Sequence, residues 1–417
     1  MIIQRNAYVQ KLIDRQHNGM IKVITGVRRC GKSFLLFNLF RQYLENQGIA
    51  SDHIITIALD DRMNRKLRDP DLLCEYVHSK IFGSEMFYIL LDEVQFVNEF
   101  EDVLNSFLHI PNADVYVTGS NARFLSKDVI TEFRGRGDEV RVFPLSFREY
   151  LSAYEGTRER ALGEYMPYGG LPQVLSYKTE EQKVSYLKNL FAETYITDIK
   201  ERYHIQRDEE LEELINIISS SIGSLTNPNK LVNTFKTVKN VKIDQVTVKS
   251  YLDYLCDSFL VERAMRYDVK GRHYIDTPSK YYFADLGLRN ARLNFRQDER
   301  THIMENVVYN ELRIRGFNVD VGIVPVTYTD ANGSRRKTQL EIDFVCNLGS
   351  RRYYVQSAYH IDNDEKRQQE QASLVKVNDS FKKIIILGDD IPVQRNEQGI
   401  TTMGLMDFLC DARSLDL

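Results

Sequence analysis

The sequence predicts an α/β protein whose first part is a parallel sheet covered by helices on both faces. Three observations predict it. Short β-branched runs alternate with amphipathic stretches over residues 1–150. A glycine-rich loop joins the first of those runs to a helical stretch, and a later run ends in two adjacent carboxylates. Strands alternating with helices imply parallel pairing, and ligand sites in such sheets lie at the carboxyl ends of the strands.

Each element follows from its pattern. IKVITG (21–26) reads as a buried strand. SFLLFNLFRQYL (33–44) reads as a helix, with apolar residues at 35, 36, 39, 40 and 43–44 forming one stripe. HIITIALD (53–60), FYILLDE (87–93) and ADVYVTGS (113–120) read as three more strands. Residues 151–210 read as a helical connector or lid, interrupted by the turn signal Tyr168-Gly169-Gly170-Leu171-Pro172. Residues 211–295 read as a small helical unit ending in a hairpin. Residues 296–417 return to mixed helix and strand, with strands expected near 340–346, 352–357 and 383–388.

At 417 residues the chain exceeds one ordinary core, since domains run to roughly 100–200 residues. Its 43% apolar and 27% charged residues exclude a disordered or fibrous chain. The net charge of −4 excludes a wholly basic nucleic-acid coat, though not a local basic patch. Five isolated cysteines argue against a disulfide framework or a zinc site and favour a reducing compartment. The opening segment has no apolar signal region, and no uncharged run is long enough to span a bilayer. A cytoplasmic protein without a membrane partner is expected.

The loop Gly26-Val27-Arg28-Arg29-Cys30-Gly31-Lys32-Ser33, followed by Phe34, fits G-x-x-x-x-G-K-[ST]. A loop that wraps a phosphate needs glycine where a Cβ would clash, and its backbone N–H groups then point at the anion. Lys32 is expected to reach the β- and γ-phosphates and Ser33 to ligate Mg²⁺. Asp92, at the end of an apolar strand, is expected to hold the Mg²⁺ shell, and Glu93 to polarise the attacking water. After the fourth strand, Ser120 or Asn121 is expected to sense the γ-phosphate. Arg136, with Arg134 as runner-up, is expected to act as an arginine finger, often supplied by a neighbouring subunit, which implies a homo-oligomer.

These segments are joined in order by others: GVRRCGKS at 26–33, LLDEVQ at 90–95, VTGSNA at 117–122, FRGR at 133–136, PLSFREYL at 144–151, YGGLP at 168–172, YYFADLGLRNA at 281–291 and ENVVYNEL at 305–312. With them the chain resembles the prokaryotic ATPases that have an AAA-like N-terminal domain and a C-terminal DUF4143 region. The resemblance implies ATP as the nucleotide. It also implies an AAA/STAND-like P-loop core (1–150), the connector (151–210), a winged-helix domain (211–295) and a domain similar to PD-(D/E)XK nucleases (296–417).

Within 211–295, the spacing of Val248, Tyr251, Leu252, Leu255 and Phe259 predicts a helix capped by Asp244 or Thr247. A hairpin over 259–274, turning near Lys270-Gly271, follows it. Lys239, Lys242, Lys249, Lys270 and Arg272 are the expected DNA contacts, although Asp253, Asp257 and Asp268 interrupt the positive field. The alternative is a module that only packs against the ATPase domain and relays its state.

In the terminal region, the resemblance implies metal ligands at Glu305 on a helix and at Asp343 on a strand, with Glu341 beside Asp343 as part of the same nuclease-like remnant. The next strand places Gln356 and Ala358 where those nucleases carry a carboxylate and a lysine. Gln356 is a weak ligand for a hard cation, and Ala358 cannot stabilise developing charge. Arg335, Arg336 and Lys337 form a short basic cluster nearby. The expected function is a Mg²⁺-dependent ATPase whose nucleotide state controls a winged-helix and a degenerate nuclease-like domain on DNA. The rivals are a nucleotide-gated scaffold with negligible turnover and, further behind, a metal-dependent nuclease.

Overall fold

A computed structural model describes residues 2–119, 135–238, 243–297, 299–329 and 333–417. The chain divides into two compact units. The first comprises Met1–Leu145 with Leu171–Gln173 and Asp257–Phe259; the second comprises Ser146–Gly170, Val174–Cys256 and Leu260–Leu417.

The first unit holds a five-stranded sheet: β1 (Ile21–Thr25), β2 (Ile54–Ala58), β3 (Phe87–Asp92), β4 (Ala113–Thr118) and β5 (Gly137–Arg141). The order is β2-β3-β4-β1-β5 and every pairing is parallel. The four strands expected from β-branched patterning are all present. β5 was not anticipated, because GDEVR is short and polar, as befits an edge strand. β1 and β3 are buried along their whole length, as a central parallel strand covered on both faces must be. Lys22 lies within β1 at 0% exposure because Asp114 of β4 takes its ammonium.

The helix after β1 is continuous through Lys32–Phe34, a π-helical stretch Leu35–Phe40, and Arg41–Asn46. Leu35, Leu36, Leu39, Phe40 and Leu44 form its buried stripe.

The second unit is organised on an eight-stranded mixed sheet. Its strands are β6 (Val261–Asp268), β7 (His273–Phe283), β8 (Asn318–Thr329), β9 (Arg335–Leu348), β10 (Arg351–Ala358), β11 (Lys382–Leu387), β12 (Gln394–Arg395) and β13 (Ile400–Gly404). The order is β12-β13-β11-β10-β9-β8-β6-β7.

The sheet runs across the boundary expected at residue 295. The β6–β7 hairpin is not a free-standing wing: β6 pairs in parallel with β8 through Arg266–Asp268, which satisfies its edge. The turn falls where expected, with the Lys270 and Gly271 N–H groups donating to Asp268 Oδ1 at 2.9 and 2.7 Å. The preceding helix spans Gln245–Asp257, and Asp244 caps it by accepting from the Thr247 N–H at 2.7 Å. Among the described residues, no helix is long and apolar enough to cross a membrane.

Candidate functional site

β1 ends at Thr25, and the chain turns at once into the glycine-rich loop. Gly26 has φ +135°, and a Cβ there would lie 2.0 Å from the Val142 carbonyl oxygen, so only glycine fits. Gly31 (φ +99°) caps the following helix in the left-handed region. Arg29 also has positive φ (63°), which folds the loop back over the helix start.

Lys32 is 4% exposed, and its ammonium donates to the carbonyls of Gly26 at 2.9 Å and Val27 at 3.2 Å. Val27 and Cys30 are buried beneath the loop, and the Cys30 thiol faces the Val142 carbonyl at 3.5 Å. Arg28 is half-buried, and Arg29 and Phe34 are exposed.

Arg5, which the sequence pattern did not single out, braces this floor. Its guanidinium is 3% exposed and donates to the carbonyls of Cys30 and Phe143 at 3.0 Å and Pro144 at 3.4 Å. It lies far upstream of the motif, so no local signal marked it. Pro172 of the Gly-Gly-Leu-Pro turn also belongs to this unit, within 3.9 Å of where a Gly31 Cβ would point.

The strand order gathers the rest. β4 lies between β1 and β3, so the carboxyl end of β4 sits between the loop and the carboxylates. Asp92 is 4% exposed and accepts a hydrogen bond from the Thr118 hydroxyl, and the Ser33 hydroxyl also favours its charged form. Burial pushes its carboxyl above the usual carboxylate range, an effect that those two hydroxyls oppose. Thr118 Oγ1 also accepts the Glu93 N–H at 3.0 Å. Glu93 holds φ 52°, and its carboxylate takes the side-chain amide of Gln95. Thr118 thus bonds both the Asp92 carboxylate and the Glu93 backbone N–H. Ser120, Asn121 and Arg134, expected just beyond it, lie outside the described residues.

Arg136 lies elsewhere. It precedes β5, it is exposed, and its carbonyl accepts the Ile21 N–H at 2.8 Å. β5 runs parallel to β1 with Gly137 opposite Ile21, so Arg136 stands at the amino end of the sheet. The glycine-rich loop leaves from the other end.

The comparisons with known proteins bear on this geometry. Residues 18–151 match the family described as AAA domain. Over 414 residues the chain is 33% identical to an uncharacterized protein of Haemophilus influenzae, covering 98% of each. The chain belongs to that protein's family. Another relative, an uncharacterized protein of Methanocaldococcus jannaschii, is 27% identical over 391 residues, covering 89% of this chain and 82% of the relative. A Walker-type ATPase of Pyrococcus abyssi shares the fold at TM-score 0.51 and 16% identity, covering 70% of this chain and 96% of that one. An AAA domain therefore occupies the N-terminal part. Residues 159–299 match a domain of unknown function, DUF8612, which corrects the DUF4143 region expected from the sequence.

The second unit also brings charged residues together. Glu305 lies on the Arg300–Ile314 helix, and Glu341 and Asp343 lie on β9. Asn306 seats that helix on β7: its amide oxygen accepts the Phe283 N–H and its amide nitrogen donates to the Phe283 carbonyl, both at 2.8 Å. Lys280 of β7, which no sequence motif marks, reaches Glu341 at 2.8 Å, Glu305 at 2.9 Å and Asp343 at 3.7 Å.

Burial alone would depress the Lys280 ammonium, but the charges of Glu305, Asp343 and Glu341 outweigh it and raise its pKa above the ordinary lysine value. Burial and the neighbouring Glu305 push the Asp343 carboxyl up. Gln356 Oε1 accepts the Asp343 N–H at 3.3 Å, and its amide nitrogen donates to Glu370. Ala358 is buried in the apolar core.

Of the expected DNA contacts, Lys239 and Lys242 lie outside the described residues. Lys249 and Arg272 are exposed. Lys270 is committed to the Pro325 carbonyl at 2.9 Å. Arg335, Arg336 and Lys337 are exposed on β9, opposite Thr329, Tyr328 and Thr327 of β8.

Proposed function

We propose that the first unit binds ATP with Mg²⁺ and hydrolyses it. The observation that carries this reading is the Asp92–Thr118 hydrogen bond at the carboxyl ends of adjacent strands, together with a lysine of the glycine-rich loop that is held by loop carbonyls. In this reading the backbone N–H groups of residues 27–33 cradle the phosphates. Lys32 exchanges the Gly26 and Val27 carbonyls for phosphate oxygens. Ser33 and Asp92 are the residues that would hold Mg²⁺, whose chemistry is to neutralise charge on the transferring phosphoryl group. Glu93, fixed by the Thr118 contact to its N–H, orients the attacking water. Ser120 or Asn121 remains the proposed γ-phosphate sensor. Arg136 stands at the far end of the sheet, so as an arginine finger it serves a neighbouring copy and requires a homo-oligomer.

For the second unit, the order of a helix, three antiparallel-paired strands, a helix and a parallel strand over 300–387 supports a nuclease-like reading. Gln356 and Ala358 argue against cleavage, and no cleavage step is assigned. DNA is proposed as a partner through exposed Lys249, Arg272, Arg335, Arg336 and Lys337.

The test is steady-state phosphate release from ATP by the full chain, with and without duplex DNA at low salt. Glu93→Gln is expected to lower turnover by about 10²–10⁴-fold while ATP still binds. Normal turnover in that variant would place the base elsewhere. Stimulation by DNA supports the DNA partner; turnover indifferent to DNA removes it. Absence of turnover in the wild type would favour the nucleotide-gated scaffold.

A further inference from the structure

A cluster of three carboxylates in a nuclease-like unit raises the question of a divalent ion, and the residues present do not fit one. Mg²⁺ requires octahedral oxygen ligands at about 2.0–2.1 Å and retains several waters. Here one oxygen of each buried carboxylate is already taken. Glu305 Oε1 accepts from both the Lys280 ammonium at 2.9 Å and the Tyr282 hydroxyl at 2.6 Å. Asp343 Oδ2 accepts the Ser357 N–H at 2.9 Å. Gln356 turns its amide oxygen to the Asp343 N–H. On the remaining side the backbone of Gly223 comes so near that a Cβ there would lie 3.1 Å from the Glu305 oxygens.

An ammonium suits this setting. It offers three N–H donors and tolerates distances near 2.9 Å. Its three neighbours come from two elements: Glu305 from the Arg300–Ile314 helix, and Glu341 and Asp343 from β9. Lys280 is 5% exposed in its side chain, and Glu305 and Asp343 are 9% and 11% exposed; only Glu341, at 34%, reaches solvent.

We infer that Lys280 is the resident cation of this cluster. Its ammonium stands where a metal ion would otherwise be held, and it ties β7, the Arg300–Ile314 helix and β9 together without metal. The inference is independent of the ATPase reading and rests on the nuclease-like reading only for the identity of the displaced ion. It accounts for a carboxylate set kept intact beside Gln356 and Ala358. The carboxylates answer to a lysine, so no metal ligand and no lysine are needed on β10.

The test is calorimetric titration of the nucleotide-free full chain with Mn²⁺, comparing the wild type with Lys280→Ala, Lys280→Met and Asp343→Asn. Wild type and Asp343→Asn are expected to give the same isotherm, and neither Mn²⁺ nor a chelator is expected to move the wild-type melting temperature. Lys280→Ala, which clears the position, is expected to gain a Mn²⁺ site at least about tenfold tighter than any wild-type binding, with a melting temperature that rises on Mn²⁺ addition. Lys280→Met, which fills the space with an apolar chain, is expected to gain none. The inference is overturned if wild-type Mn²⁺ binding is lost in Asp343→Asn. It is equally overturned if folded Lys280→Ala takes up no ion. Mn²⁺-dependent plasmid nicking by the wild type that disappears in Lys280→Met would overturn it too, since Lys280 would then belong to a cleavage site. Should Lys280→Ala fail to fold, the wild-type against Asp343→Asn comparison still decides.

Discussion

Lys32 and Lys280 are equally buried, each 4% exposed, yet they are held in opposite ways. Lys32 rests on two neutral carbonyls of its own loop. Lys280 rests among three carboxylates brought from a helix and a strand. A charge supported by uncharged acceptors keeps most of its attraction for an arriving anion. A charge already matched by carboxylates does not, and removing it leaves the partners buried and unpaired. The first arrangement suits a binding site, and the second suits a clasp. Burial does not distinguish them; the charge of the partners does.

The sharpest way to break this comparison is to substitute both lysines with methionine. Lys280→Met is expected to destabilise the second unit by about 3–5 kcal/mol, the cost of orphaning a buried charge cluster, with the loss read by denaturant unfolding. Lys32→Met is expected to cost only about 1 kcal/mol of stability, because it gives up two hydrogen bonds to neutral carbonyls, relieves a buried charge and orphans no carboxylate. Phosphate release should instead fall by about 10²–10³-fold, as when one donor to a developing anion is removed. Equal stability losses would erase the distinction.

A smaller effect is expected at Thr118. Thr118→Val removes the hydroxyl that donates to Asp92 and accepts the Glu93 N–H. A stability loss of about 1–2 kcal/mol is expected, with a lowered kcat and a largely unchanged Kd for ATP, measured by turnover and by nucleotide titration. A change in Kd alone would place Thr118 outside the hydrolytic geometry.

The smallest effect concerns Asp92. Its folded-state carboxyl titrates above the unfolded one because burial raises it. Between those two values the folded chain binds more protons than the unfolded chain, so stability falls as pH rises through that window. Asp92→Asn should remove this decline and raise nucleotide-free stability by about 0.5–2 kcal/mol on its alkaline side, while abolishing Mg²⁺-dependent turnover. Melting curves of both proteins across the acid range check it. An unchanged pH profile would show that the buried carboxylate is not the source.

Much of the first unit was legible in the chain. A parallel strand buried on both faces must be a continuous apolar run, and a loop that wraps an anion must carry glycine at fixed spacing. Ile21–Thr25, Gly26, Gly31, Lys32, Ser33 and Asp92 therefore announce themselves locally. β5 escaped because an edge strand needs only one apolar face. The role of Thr118 is not legible locally, since only the pairing of β4 with β3 brings its hydroxyl to the Asp92 carboxylate and the Glu93 N–H.

The second unit was legible only in pieces. The Gln245–Asp257 helix, its Asp244 cap and the turn at Lys270-Gly271 are short-range features, and their residue types specify them. That the hairpin joins β8, that Arg5 supports a loop more than twenty positions downstream, and that Lys280 meets Glu305, Glu341 and Asp343 depend on which backbones lie side by side. Periodicity and motif spacing record the demands that one segment places on itself. Partners of a buried charge come from segments far apart in the chain, so their meeting is decided only when the sheets and helices pack.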